Sequence, residues 1–438
     1  MRHLRNILGG WVIGALLVGC GEVPKGTAGP GAPADKKIVV WHWMADRQDA
    51  LQELAKRYEA ETGVKIVFEL FAPSDAYSQK VRAAAQARVL PDIFGILGEK
   101  RDFAAFIKAG CVANLTPAME ADNRAWENLL LEKAVAINEF KAGNPYGVEP
   151  GIYGVPIDFM TIEMLYNKKL FKELGLDPDR PPATFQEFVE MGDALKVKKM
   201  QGLVSGWAEE WLIGCFALNY AFNIMGKDKV LATFRGDVPY TDPGWIEVFS
   251  LFQEMRESGV LAEGVVTMVN KTAEQLFANG KAVFAFNGSW CVNVYQGMNP
   301  ALDYGVMLPP AASDENPMSI WGNASSFMVN ARSKNKEEAV AFLQWLSRRD
   351  QQAYLAQRTS NLPANKECLG EISPLLAQFA DDVELTTHPN LWGVSEFPLV
   401  SETLARGLQS IVIGEKTPEQ VAAEVQKVKE RELLKKRK

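Results

Sequence analysis

The sequence predicts an α/β protein of two lobes, each a mostly parallel sheet flanked by helices. The chain has 438 residues, more than one hydrophobic core usually serves. Its folded part opens with a strand–helix–strand alternation, the start of a doubly wound sheet. Residues 276–290 repeat the alternation much later: a helical pattern, Gly280, an apolar run, then Asn287-Gly288-Ser289-Trp290. That turn delivers Trp290 to the carboxyl end of a strand, where open α/β sheets bind their ligands.

The first 36 residues lie outside this alternation. Arg2 and Arg5 precede an apolar run over 7–18, which is short for a membrane span and reads as a secretory leader. Leu17-Val18-Gly19-Cys20 resembles a bacterial lipobox. The resemblance implies cleavage before Cys20, leader 1–19, and a diacylglycerol on the Cys20 sulfur that anchors the protein to a membrane. Residues 20–36, rich in Gly, Pro and Ala, cannot bury enough surface to fold and are expected to act as a tether of roughly 20–24 Å.

Residues 37–41 read as an apolar strand, with His42 to Asp46 as its loop and Asp46 as a candidate helix cap. Leu51, Leu54, Ala55 and Tyr58 fall on one helical face that stops at Gly63. Val64, Ile66, Phe68 and Leu70 alternate as a strand. A helix over 75–87, a strand over 91–97 with the loop Gly98-Glu99-Lys100, and a helix over 102–109 complete this part. Residues 147–156 are Gly/Pro-rich, and 157–165 turn apolar again. Thr184 and Glu187 make a capping box for the next helix. Residues 211–225 are expected to form a core helix, since fifteen residues are short for a membrane span. A helix over 243–258 ends before Gly259. Residues 303–309 and 327–330 read as strands, the second preceded by the loop Trp321-Gly322-Asn323. Helices over 337–347 and 417–438 follow.

The run Tyr166-Asn167-Lys168, Gly175-Leu176, Pro181-Pro182 and Thr184-Phe185-Gln186-Glu187, with the stretch ending in Trp290, resembles the family 1 extracellular solute-binding proteins, the maltose/oligosaccharide type serving ABC importers. The resemblance extends over roughly residues 38–426. It implies the type II periplasmic-binding-protein fold, with residues 37–157 and 304–346 in the N-terminal lobe and 158–303 and 347–438 in the C-terminal lobe. It also implies an extracytoplasmic monomer in the cell envelope, delivery of a solute to a membrane permease, and Tyr166 and Trp290 as cleft residues. Hinges are expected near 154–158 and 302–306.

Catalytic chemistry finds little support. Beyond the leader the histidines are His42 and His388, and the sequence has no H-E-x-x-H, G-x-S-x-G, Walker A or dinucleotide fingerprint. No metal, cofactor or enzymatic role is expected. The net charge of −7 excludes nucleic acid as the expected partner, because phosphate binding needs a basic surface. Cys111, Cys215, Cys291 and Cys368 permit three disulfide pairings, or none.

A sugar presents an apolar C–H face, which packs on flat aromatics, and a rim of hydroxyls, which pairs with acids and amides. Trp41, Trp43, Trp290, Trp321 and Trp392 sit in the expected loops, with Asp46, Arg47, Glu99, Asp158, Asn287 and Asn323 beside them. A polyamine or another small polar solute would also suit acids among aromatics, and a ligand-sensing lipoprotein would have the same sequence features.

Overall fold

A computed structural model describes residues 36–436; Cys20, the leader and most of the tether lie outside the described residues. Strand β1 (Lys37–His42) pairs in parallel with β2 (Lys65–Leu70) on one side and with β3 (Ile93–Phe94) on the other. The helix Gln48–Thr62 connects the first two and buries Leu51, Leu54, Ala55 and Tyr58, the face the spacing predicts. Gly63 ends it at φ 74°, a conformation that costs a glycine little. A short antiparallel pair, β4 (Glu139–Phe140) and β5 (Gly151–Ile152), precedes β6 (Val155–Pro156).

The second sheet is organised on β7 (Asp158–Asn167). Beside it lie β8 (Gln201–Val204) and β9 (Ala282–Gly288), parallel to each other, with β9 antiparallel to β7. On the other side β10 (Tyr304–Met307) and β11 (Ile320–Asn323) also run antiparallel to β7. The chain returns to the first sheet as β12 (Ser326–Val329), antiparallel to both β3 and β6. It comes back as β13 (Leu362–Pro363) against the start of β7 and β14 (Thr386–Thr387) beside β11. The first sheet has the order β2-β1-β3-β12-β6; the second runs β14-β11-β7-β9-β8, with β10 and β13 also on β7.

The two-lobed α/β architecture therefore matches the sequence reading, but the sheets are mixed rather than mostly parallel. The reason is topological. β8 and β9 reach the side facing the first lobe at their carboxyl ends, whereas β7 enters its sheet from that side and must run the opposite way.

Among the described residues three crossings join the lobes: at Ile157, between β6 and β7; at Ala324–Ser325, between β11 and β12; and a longer one that starts at Ser360–Asn361, touches β7 through β13, and still bonds to the first lobe through Ala364 and Asn365 before the helix Pro374–Asp381 enters the second. Two expected boundaries need correction. Residues 304–323 still belong to the second sheet, since β10 takes its register from Asn167 to Met164; a strand's pattern does not say which sheet it joins. The helix Arg349–Thr359 belongs to the first lobe, where Leu355 enters the core of β1, β2 and β12, and Arg57 stacks 3.8 Å from the Tyr354 ring centre. The hinge expected near 302–306 therefore lies inside a lobe.

The lobes also touch beside these crossings. Leu131, Ala134 and Ile137, along the first-lobe helix Glu132–Asn138, pack with Phe159, Leu362, Leu376, Phe379 and Val383. Lys133 Nζ donates to the carbonyls of Val383 and Thr386, each at 3.2 Å, and to that of Glu384. Buried Lys100 donates to Ile137 O at 2.6 Å and Ala136 O at 3.4 Å, carbonyls at the helix end whose dipole favours a cation. Burial lowers its pKa to about 7, and the same lysine's charge adds to the burial that lowers His388 to about 3. The cysteines Cys111, Cys215, Cys291 and Cys368 are free and buried. Among the described residues no helix is long and apolar enough to cross a membrane.

Backbone closeness in the second lobe gives one test. A Cβ on Gly202 would lie 1.8 Å from Val260 O, and a backbone carbonyl cannot rotate away. Gly202→Ala is expected to lower unfolding free energy by about 1–3 kcal/mol, read by urea denaturation. Lys100 gives a second. Its folded pKa of about 7 lies below the ordinary 10.5, so between those values the unfolded chain binds the proton more tightly and this group's contribution to stability rises with pH. Lys100→Met removes that dependence. Its melting temperature relative to wild type is expected to be higher at pH 7 than at pH 10, and a difference independent of pH would contradict the burial argument.

Candidate functional site

The crossings decide which sheet edges face each other. β1, β2 and β3 end, and β12 begins, at the edge that turns toward the second lobe; β8 and β9 end, and β7 begins, at the edge opposite. Incompletely buried tryptophans gather at these two edges. Trp126, Trp207, Trp245, Trp345 and Trp392 are core residues, whereas Trp41, Trp43, Trp290 and Trp321 are half-buried and Trp211 is 46% exposed.

On the first lobe Trp41 stands opposite Glu69 of β2 and donates its Nε1–H to Glu69 Oε2 at 2.9 Å. Phe71 meets it edge-on at 5.3 Å, and Lys80 Nζ lies 4.3 Å and 4.1 Å from the two ring centres. Trp43 lies against Gly95 at the end of β3, where a Cβ would be 2.2 Å from the indole. Tyr77 holds the Gly95 peptide from below: its hydroxyl donates to Gly95 O at 2.9 Å and accepts from Gly95 N–H at 2.8 Å. Asp46 is exposed in the short turn Ala45–Arg47. Glu99 is half-buried, and burial pushes its carboxyl above the ordinary range.

On the second lobe Trp290 follows β9 and Trp211 opens the helix Glu210–Arg235 that follows β8. Because β8 and β9 are parallel, both indoles arrive at the same edge, 6.2 Å apart at 48°. Gly288 makes room for one of them, since a Cβ there would be 1.9 Å from the Trp290 ring. Trp211 donates its N–H to Glu209 Oε2 at 2.9 Å, and Trp290 donates to Glu274 Oε1 at 3.3 Å. Asn270 joins the two acids: its backbone N–H donates to Glu209 Oε1 at 2.7 Å, and its side chain donates to Glu274 Oε1 at 3.0 Å. Burial raises the Glu274 pKa, and the N–H donors around it pull it back. With both indole N–H groups occupied, it is the ring faces that remain for a ligand. Trp321 lies near this edge on β11, 5.3 Å from His388 and 5.8 Å from Trp392.

The residues singled out from sequence divide accordingly. Trp41, Trp43, Asp46, Glu99, Trp290 and Trp321 stand at the facing edges. Asn323 closes β11 and accepts from Ala324 N–H at 2.8 Å at the crossing. Asn287 is in β9 rather than in a turn, buried beneath Trp290, and donates to Glu274 Oε1 at 3.1 Å; it positions the platform rather than lining it. Trp392 is buried between Phe222 and Phe234, with its N–H on Thr387 Oγ1 at 2.5 Å.

Arg47 and Asp158 are buried against each other at 2.6 Å, which removes both from a ligand surface. Tyr166 is a correction of a different kind. It lies eight residues beyond the edge of β7, roughly 26 Å at the rise of a strand, with its hydroxyl on Pro178 O and its ring on Phe171. Sequence reasoning missed Trp211, Glu209 and Glu274. A signal existed for Trp211: it follows β8 as Trp290 follows β9, but its apolar surroundings read as core.

The family described as bacterial extracellular solute-binding protein matches residues 53–387. A protein of Brucella abortus (strain 2308), named only as a binding protein, is 26% identical over 400 residues, covering 88% of this chain and 90% of that one. The galactooligosaccharide-binding protein of Bacillus subtilis (strain 168) is 22% identical over 411 residues, covering 92% and 91%. Among solved structures, a chitin oligosaccharide binding protein superposes with a TM-score of 0.74 at 21% identity, covering 91% of this chain and 98% of that one. With two lobes joined by three crossings and a family match over most of its length, the chain belongs to the bacterial extracellular solute-binding proteins.

Proposed function

We propose that this protein captures a carbohydrate between its lobes outside the cytoplasm and delivers it to the permease of an ABC transporter. The observation that carries the reading is the Trp211–Trp290 pair, whose N–H groups are satisfied by Glu209 and Glu274. Indoles held this way offer fixed apolar faces to a sugar ring, while the acids beside them accept from hydroxyls. Trp41, Phe71 and Trp43 form the corresponding surface on the other lobe. The relatives' names support the same class of ligand. Binding to both surfaces favours the closed arrangement, a population shift of the kind hinge-joined lobes undergo. The family and the relatives named as binding proteins support a binding role. A diacylglycerol on Cys20 would keep the protein beside its permease.

The test is a thermal-shift and calorimetric panel of mono- and oligosaccharides, polyols and polyamines on a chain starting at Lys36. One saccharide class is expected to stabilise the protein as RT ln(1 + [L]/Kd) requires. Trp211→Ala and Trp290→Ala are each expected to weaken that ligand by about 1.5–3 kcal/mol, roughly ten- to a hundredfold. Stabilisation by polyamines alone would overturn the carbohydrate reading in favour of the acids at the site. Unchanged affinity in both variants would remove the platform from it.

A further inference from the structure

Arg47 follows β1 in the first lobe and is 4% exposed. Its Nη1 lies 2.6 Å from Asp158 Oδ2 and donates to Ser325 Oγ at 2.8 Å; its Nη2 donates to Asn361 Oδ1 at 3.0 Å. Asp158 begins the first passage of chain between the lobes, Ser325 lies on the second and Asn361 on the third. One guanidinium therefore holds one residue from each covalent link between the lobes. The links are also bonded to one another: Ile157 N–H donates to Ser325 O at 2.8 Å, and Ser325 N–H donates to Asp158 Oδ1 at 3.0 Å. Asp158, Ser325 and Asn361 are themselves buried, at 2%, 4% and 2% exposure.

Stability alone does not account for this arrangement. A buried ion pair is replaceable by apolar packing of the same volume at little cost, and its best-attested use is to fix one arrangement among several. Here the fork of donors, which matches several acceptors at set angles, reaches the three places where the lobes can rotate; its other contacts, Nη1 to Met44 Sδ at 2.8 Å and Nε to Asp46 Oδ2 at 3.4 Å, lie within its own loop and fix it to the first lobe. We propose that Arg47 is a positioning residue of lobe closure: fixed to the first lobe, it gathers the three crossings into one pivot and confines the lobes to a narrow range of relative angles. This rests on the reading that the lobes close on a ligand. The pivot shortens the search for the closed form, so weakening it costs affinity without touching the ligand.

The experiment measures inter-lobe distance in solution. Spin labels are placed through Val89→Cys on the first lobe and Val197→Cys on the second, positions 63% and 80% exposed, while the native cysteines are buried. Ser325→Ala and Asn361→Ala each remove one arm of the fork, and Arg47→Lys keeps a charge toward Asp158 without the fork. The ligand-free distance distribution is expected to broaden in Asn361→Ala and Ser325→Ala and most in Arg47→Lys. Affinity for the parent's best saccharide is expected to fall at least threefold. Distributions as narrow as the parent's in Asn361→Ala and Ser325→Ala, both still melting cooperatively, would overturn the proposal and leave Arg47 an ordinary core contact. A parent whose distribution no saccharide narrows would instead count against the binding reading, while the ligand-free widths still judge the pivot.

Discussion

The constraint on which this molecule depends is that its chain passes between the lobes three times at adjacent points. Asp158, Ser325 and Asn361 lie close enough to share a single guanidinium, and Ile157 and Asp158 are each hydrogen-bonded to Ser325. Three neighbouring links leave the lobes a small set of relative rotations, and they decide which edge of each sheet faces the other. Everything at the candidate site follows from that choice, because a side chain is useful there only if its strand ends, or begins, at the facing edge.

At those edges the electrostatics serve placement. Carboxylates are spent on holding indoles: Glu69 on Trp41, Glu209 on Trp211 and Glu274 on Trp290. Each bond satisfies a donor that would otherwise be left partly desolvated and fixes a ring plane without obstructing its face. Glycines at Gly95 and Gly288 complete the arrangement, since a Cβ at either would displace the tryptophan beside it. The charges nearer the crossings do a different task. Lys133 donates to loop carbonyls of the second lobe and seats the helix Glu132–Asn138 against it, while buried Lys100 ties the carboxyl end of that helix to the first lobe through Ile137 O.

Local structure was legible where local chemistry decides it. The apolar face of the helix Gln48–Thr62 and its stop at Gly63, the capping box of Thr184 and Glu187, and the helix Pro243–Ser258 before Gly259 all appear as the spacing predicts. Each depends on residues within a few positions of one another. The failures share the opposite property. β10 has an ordinary strand pattern, and only its partner, β7, places it in the second sheet. Tyr166 is an aromatic in a motif, but its distance from the crossing excludes it from the site. Trp321 and Asn287 read as loop residues and lie in strands, because pairing with β7 outweighs the local Gly and Asn signals.

The sequence by itself determined most of the elements, the two-lobed architecture and four of the tryptophans that stand at the facing edges, Trp41, Trp43, Trp290 and Trp321. These follow from hydrophobic periodicity, cap and turn chemistry, and the length a single core can serve. Only the tertiary structure decided that Arg47 and Asp158 bind each other rather than a solute, that Trp211 stands beside Trp290, and that the helix Arg349–Thr359 belongs to the first lobe. Those outcomes turn on partners far apart in sequence, from the Trp211–Trp290 pair to Arg57 on Tyr354, where contacts are set by how sheets are threaded rather than by local preference. A polar side chain carries no mark of whether its partner will be a ligand or another part of its own chain; that is settled when the crossings bring the lobes together.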